Sequence, residues 1–197
     1  MGQIVEMPLF PLGTVLFPEG RLPLRIFEQR YVDMTKACIR DDAPFGVALI
    51  RAGVEVGQPA IPWDIGCSAR IAEWEVPSPG LFNLLARGET VFRILDRWTQ
   101  SDGLLMGRVE LLEPLPSQPL PERYAALGQL LDKLVEEVGA EVLPQPLRRD
   151  DAVWVGRRLT EMLPVPPEAR QKMLEAGDVL TLLDGVERLL KRLGEDA

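Results

Sequence analysis

Histidine is absent from this 197-residue chain, which removes every mechanism that uses imidazole as base, proton shuttle or metal ligand. Ser-His-Asp and Cys-His catalysis go with it. Cysteine is limited to Cys38 and Cys67, too far apart in sequence to form a close pair of soft metal ligands, and both read as buried, reduced thiols. Serine occurs only at 68, 78, 101 and 117, and lysine only at 36, 133, 172 and 191, with no nucleophile turn around any of them. Neither Gly-x4-Gly-Lys-Ser/Thr nor Gly-x-Gly-x-x-Gly is present, so the chain lacks the phosphate cradles of nucleotide hydrolysis and dinucleotide binding. No apolar run approaches the ~20 residues that cross a bilayer. The start shows no basic region followed by an apolar stretch, so a cytoplasmic protein is expected. An excess of positive charge is also missing: the net charge is −8, which repels phosphate backbones and disfavours nucleic acid as a partner. Divided at residue 118, each part carries 11 basic and 15 acidic residues, so neither conceals a basic domain.

What the chain does have is an ordinary globular composition, 46% hydrophobic and 26% charged, with 18 prolines and 17 glycines, placed unevenly. Up to residue 113 short apolar segments alternate with glycine and proline, the pattern of a β-rich unit with many turns. Strands are expected at 4–10, 14–16, 22–26, 45–51, 67–76, 81–86, 89–98 and 104–112. Prolines 8, 11, 18 and 23 confine the early strands to edges, ends or bulges, because proline cannot donate to a ladder. An irregular barrel suits this better than a flat sheet. Phe27, Tyr31, Met34 and Cys38 recur at helical spacing and predict a helix over 28–39. Four prolines between 114 and 121 predict an extended, semi-rigid connector. Beyond it the period becomes helical: Tyr124, Leu127, Leu131, Leu134 and Val138 form one stripe of a helix ending at Gly139. Asp150 or Asp151 can cap a second helix reaching Met162. Pro166-Pro167-Glu168 opens a third, and Asp178 caps a last one with Leu182, Leu183, Val186, Leu189, Leu190 and Leu193 inward.

Residues that could carry chemistry have plainer readings. The acidic pair Asp41-Asp42 reads as a polar turn, Glu136-Glu137 as a solvated helix face, and Asp150-Asp151 as a helix start favoured by the macrodipole. Arg93, Arg97 and Trp98 could form a nucleic-acid surface, but alternation along 89–98 explains Arg93 as the exposed side of a strand whose Phe92 and Ile94 face inward. Trp63, in the proline-bounded Ile61-Pro62-Trp63-Asp64 loop, is a candidate contact residue. No catalytic residue, cofactor site or metal site is assigned.

One stretch carries a family resemblance. Met7-Pro8-Leu9-Phe10-Pro11-Leu12-Gly13-Thr14-Val15-Leu16-Phe17-Pro18-Glu19-Gly20, followed by Leu22-Pro23-Leu24-Arg25-Ile26-Phe27-Glu28-Gln29-Arg30-Tyr31, resembles the substrate-binding N-terminal domain of the ATP-dependent protease Lon, in the version found as a separate bacterial protein. Matches continue through Phe45-Gly46-Val47, Gly66-Cys67-Ser68-Ala69-Arg70-Ile71, Phe92-Arg93-Ile94 and, in the helical half, Arg158-Leu159-Thr160-Glu161-Met162-Leu163-Pro164. Departures at Gln29, Cys67 and Thr90-Val91 bear on local loops and surface contacts.

The resemblance implies an α+β fold, a PUA-like β pseudobarrel over residues 1–118 followed by a helical bundle over 119–197. It also implies a non-catalytic module that binds unfolded or apolar polypeptide segments, as an adaptor or in substrate recognition. That step rests on fold and family. The candidate contacts are Leu9, Phe10, Leu12, Val15, Leu16 and Phe17, beside proline-limited edges where an extended peptide could dock, together with Trp63. The same six apolar residues also read as barrel core. Collaboration with a separate protease, a homodimeric scaffold, and a PUA-like RNA-binding role are the alternatives that the sequence leaves open.

Overall fold

A computed structural model describes residues 2–57 and 60–195. The chain divides into two compact units, one ending at Glu113 and the other beginning at Pro114.

The first unit is built from seven strands and one helix: β1 (Ile4–Leu12), β2 (Arg21–Ile26), α1 (Gln29–Asp41), β3 (Phe45–Ala52), β4 (Ile61–Pro62), β5 (Ile65–Ser78), β6 (Leu81–Thr99) and β7 (Leu105–Leu111). Five strands run in the order β1-β7-β6-β5-β3, and a parallel pairing of β1 with β3 closes the ring. The prolines of β1 fit this closure because the strand changes partner midway. Among the described residues, 4–8 pair only with β7, 10–12 only with β3, and Leu9 with both, so Pro8 and Pro11 each have one side with no ladder to supply. β2 pairs with β6 alone, and Pro23 sits in its middle.

The barrel is filled by Leu9 and Phe92, both fully buried, where glycines leave room. A Cβ on Gly46 would lie 2.7 Å from Leu9 Cδ2 and 2.8 Å from Phe92 Cζ, and one on Gly66 would lie 2.6 Å from Phe92 Cζ. A second apolar cluster packs α1, through Tyr31, Met34 and Cys38, against Phe10, Phe45, Cys67, Phe82 and Leu84.

Several expectations need correction. Residues 14–16 form no strand; Val15, Leu16 and Phe17 are buried in an irregular loop. That loop docks on β6, where Glu19 N donates to Gly88 O at 2.7 Å and Gly88 N to Gly20 O at 2.9 Å. The Phe17 carbonyl occupies the place a Cβ of residue 88 would take. Gly88 therefore marks a close approach of backbone, and the two strands expected on either side of it are one continuous β6. Phe27 lies outside α1 and is 58% exposed, because the chain leaves β2 directly into the helix cap at Glu28.

The second unit is helical: α2 (Ala125–Val138), α3 (Ala152–Met162), α4 (Pro167–Leu174) and α5 (Val179–Glu195). Asp151 caps α3 by accepting from Trp154 N at 2.9 Å, and Asp178 caps α5 by accepting from Thr181 N at 2.8 Å. Tyr124, Leu127, Leu131, Leu159, Leu182, Leu183 and Val186 form its core, while Val138, expected on the inner stripe of α2, is exposed. The proline-rich segment is extended and tied to this unit: Leu120 N donates to Asp150 O at 2.8 Å and Ala152 N to Gln118 O at 2.9 Å.

Candidate functional site

On the first unit, a groove of about 170 Å³ opens between β2, α1 and the loop after β3. Its floor comes from core residues that turn an edge outward: Phe10 and Leu12 from β1, Ile26 from β2, and Tyr31 from the first turn of α1. The Phe10 and Tyr31 rings stack with centroids 4.0 Å apart, which stiffens that floor. Pro23, Leu24 and Arg25 form one wall. Phe27 and Val56 stand at the rim, both more than half exposed.

The two glutamates of the lining, with the neighbouring Arg30, hold the groove together. Glu28 binds Arg30 at 3.0 Å, and Arg30, itself buried, lies 4.6 Å over the Tyr31 ring and donates to Gly103 O at 3.1 Å. The loop over 53–57 is tied by two carboxylates, with Gly57 N donating to Glu28 Oε2 at 3.4 Å and Gly13 N donating to Glu55 Oε1. Val56 is thereby held at the rim. Burial pushes the Tyr31 hydroxyl pKa above its ordinary value, with Arg30 pulling it back and Glu28 and Glu55 adding to the rise.

The volume limits what can enter. A cavity of about 150 Å³ takes one benzene ring, while sites that enclose a drug-sized ligand span about 300 to 1,000 Å³. The groove therefore suits one large apolar side chain of a longer ligand.

The candidate contact residues separate accordingly. Phe10 and Leu12 do line the groove. Leu9, Leu16 and Phe17 lie in the core: Leu9 points into the barrel against Gly46 and Gly107, and the 13–20 loop is docked on β6. Val15 is buried as well. Trp63 is half-buried after β4, with its backbone N–H donating to Leu49 O at 2.8 Å, and does not line the groove. Sequence reasoning missed Tyr31, Phe27 and Val56 as a set; only the two glycines at 53 and 57 signalled the loop that presents Val56.

The other candidate groups are engaged structurally. Arg93 pairs with Glu110 at 3.4 Å and Arg97 with Asp64 at 3.9 Å; Asp41 pairs with Arg40 and Asp42 with Arg70. Cys38 and Cys67 are buried and take part in no disulfide. Among the described residues no group of three His, Cys, Asp or Glu could hold a metal ion, and no helix is long and apolar enough to cross a membrane.

Comparison with known proteins places nearly the whole chain in one group. The model of the ATP-dependent protease La (LON) substrate-binding domain matches residues 6–192. Lon protease 2 of Myxococcus xanthus is 30% identical over 96% of this chain and 24% of its own length. Lon protease of Anaeromyxobacter dehalogenans (strain 2CP-C) is 27% identical over 96% of this chain and 23% of its own length. The chain thus spans about a quarter of these curated relatives. Among solved structures, the Lon N-terminal domain protein from Xanthomonas campestris superposes with a TM-score of 0.77 at 32% identity, covering 95% of this chain and 98% of that one. The N terminal domain of Mycobacterium avium complex Lon protease gives 0.64 at 16% identity, covering 94% and 97%, a likeness of fold.

Proposed function

We propose, from the premise that this chain belongs to the Lon substrate-binding domain family, that it recognises exposed apolar segments of other polypeptides and does no chemistry on them. The observation that carries this reading is the groove: a concavity floored by the nearly buried Phe10, Leu12 and Tyr31, with Phe27 and Val56 exposed at its mouth. Exposed apolar surface gathered around a concavity is how soluble proteins present a binding site. The family matched is that of the substrate-binding domain, and the two glutamates at the groove are committed to an ion pair and loop ties. Neither is left arranged as nucleophile or base.

An extended client would place one Leu, Ile or Phe side chain on the Phe10–Tyr31 floor, with its flanking backbone along β2. Polypeptides expose such side chains when unfolded and bury them when native, so the groove distinguishes the two states without reading a defined sequence. Adaptor work beside a separate protease fits the same chemistry.

The test is fluorescence anisotropy with a labelled ten-residue peptide carrying Leu and Phe at alternate positions and Ser between, against an all-Ser control. Saturable binding of the Leu/Phe peptide alone is expected. Equal binding of both peptides, or of neither up to about 100 μM, a weak affinity on the usual scale, contradicts the reading.

A further inference from the structure

The outer half of β5 is an open strand edge. β3 pairs with β5 only through Ala69, and beyond it no strand among the described residues pairs with that side. On its other side β5 is paired with β6, Glu73 opposite Leu85, Trp74 opposite Leu84 and Glu75 opposite Asn83. Residues 73–80 are all exposed. Trp74 is 53% exposed and Val76 47%, although the Trp74 ring approaches Phe82 to 6.3 Å between centroids. Side chains alternate along this edge. Trp74 and Val76 share one face, where Trp74 extends the apolar row of Leu24 and Leu84. Glu73 and Glu75 share the other, with Glu75 accepting from Asn83 Nδ2 at 2.6 Å.

An exposed strand edge is a template for another strand unless its side chains forbid the match. The two glutamates decide which strand fits. In a two-fold antiparallel pairing of two copies, a register centred on Trp74 puts Glu73 opposite Glu75, and registers centred on Glu73 or Glu75 put that glutamate opposite itself. Each sets like charges directly across from one another, which is unfavourable, whereas opposite charges in those places attract. A register centred on Val76 avoids this only by setting the glutamates opposite Pro77 and Pro79, which cannot donate to a ladder, and one centred on Ala72 only by running into Ala69, which β3 already pairs. The edge thus disfavours its own copy and favours a strand with basic residues at every second position.

We propose that the outer edge of β5 over 71–76 is a β-augmentation site for extended polypeptide segments in which Lys or Arg alternates with an aliphatic residue. The basic side chains lie opposite Glu73 and Glu75, the aliphatic ones cover Trp74 and Val76, and backbone hydrogen bonds supply the remainder. None of these residues lines the groove, so this surface stands or falls independently of the client reading given to the groove.

The probe is a labelled ten-residue peptide of alternating Lys and Val, with an alternating Glu and Val peptide as control. Binding of the Lys/Val peptide should blue-shift tryptophan emission, a shift lost in Trp74→Phe. The double variant Glu73→Lys/Glu75→Lys, altered only at exposed positions, should weaken Lys/Val binding by about tenfold or more and leave the Leu/Phe peptide at the groove unaffected. N-methylation of one of the two alternating sets of peptide nitrogens should abolish binding, because only one set faces the edge. Circular dichroism confirms that each variant is folded. Equal binding of the Lys/Val and Glu/Val peptides, undiminished binding to the charge-reversed variant, tolerance of N-methylation in both sets, or a wild-type dimer in sedimentation that Val76→Pro dissociates would each overturn the proposal.

Discussion

Replacing Phe27 by Ser separates recognition from stability. Burying a whole Phe side chain is worth about 1.5–3 kcal/mol, and Phe27 is still 58% exposed in the free protein. A client covering the rest of the ring therefore gains roughly 0.9–1.7 kcal/mol from it, or about 4- to 18-fold in affinity. The ring lies outside α1 and is absent from the packed clusters, so the melting free energy should move by no more than about 0.5 kcal/mol, as for an ordinary surface change. The assay is anisotropy with the Leu/Phe peptide alongside a thermal melt, and Leu180→Ser, a comparably exposed apolar residue on α5, is the control. If Phe27→Ser binds the peptide as wild type does, or if Leu180→Ser loses as much affinity, the groove is not the recognition surface.

Other outcomes follow from the packing. Gly46→Ala should cost about 1–3 kcal/mol by overpacking against Leu9 and Phe92, and adding Phe92→Leu should return part of that loss, a non-additivity that chemical denaturation would reveal. Asp151→Ala removes the cap of α3 and the acceptor of the Ser117 hydroxyl, and a loss of about 1 kcal/mol or more is expected from denaturant midpoints. The Cys38 thiol is pushed up to about 11 by burial, with Asp41 adding to the effect. Its folded value thus lies above the unfolded one, so it stabilises the protein below about pH 9 and that contribution falls as pH rises towards 11; ultraviolet titration of thiolate in native and denatured protein reads both values. Asp178 moves the other way. Its bonds from the Thr181 side chain and backbone lower its pKa, so its contribution is present above the ordinary carboxylate range and lost as pH falls through the lower folded value. Asp178→Asn should flatten the acid limb of the stability profile.

Much of the architecture was legible because its signals are local. Proline and glycine punctuated the strands, Asp151 and Asp178 announced helix starts, and Leu182, Leu183 and Val186 set the inner face of α5. Gly88 misled because a glycine within one strand and a glycine between two strands look alike in sequence; what distinguishes them is the Phe17 carbonyl, brought from seventy residues away. Phe27 misled for a related reason, since its helical spacing to Tyr31 is real but the helix begins after it. Phe10 and Leu12 could be picked out as apolar residues beside proline-limited strands, but so could Leu9, Leu16 and Phe17, and only the face of β1 that closes on the barrel and the docking of the loop separate the groove floor from the rest of the core. Val56 enters the site from a short loop between two glycines of positive φ, a placement with no short-range periodicity to betray it.

The most direct test of the central claim is amide hydrogen exchange on the full chain with and without saturating Leu/Phe peptide. Recognition at the groove predicts slowed exchange at 25–28 and 53–57 and little change in α2 through α5. Protection confined to the helices, or no protection while the peptide is bound, would contradict it.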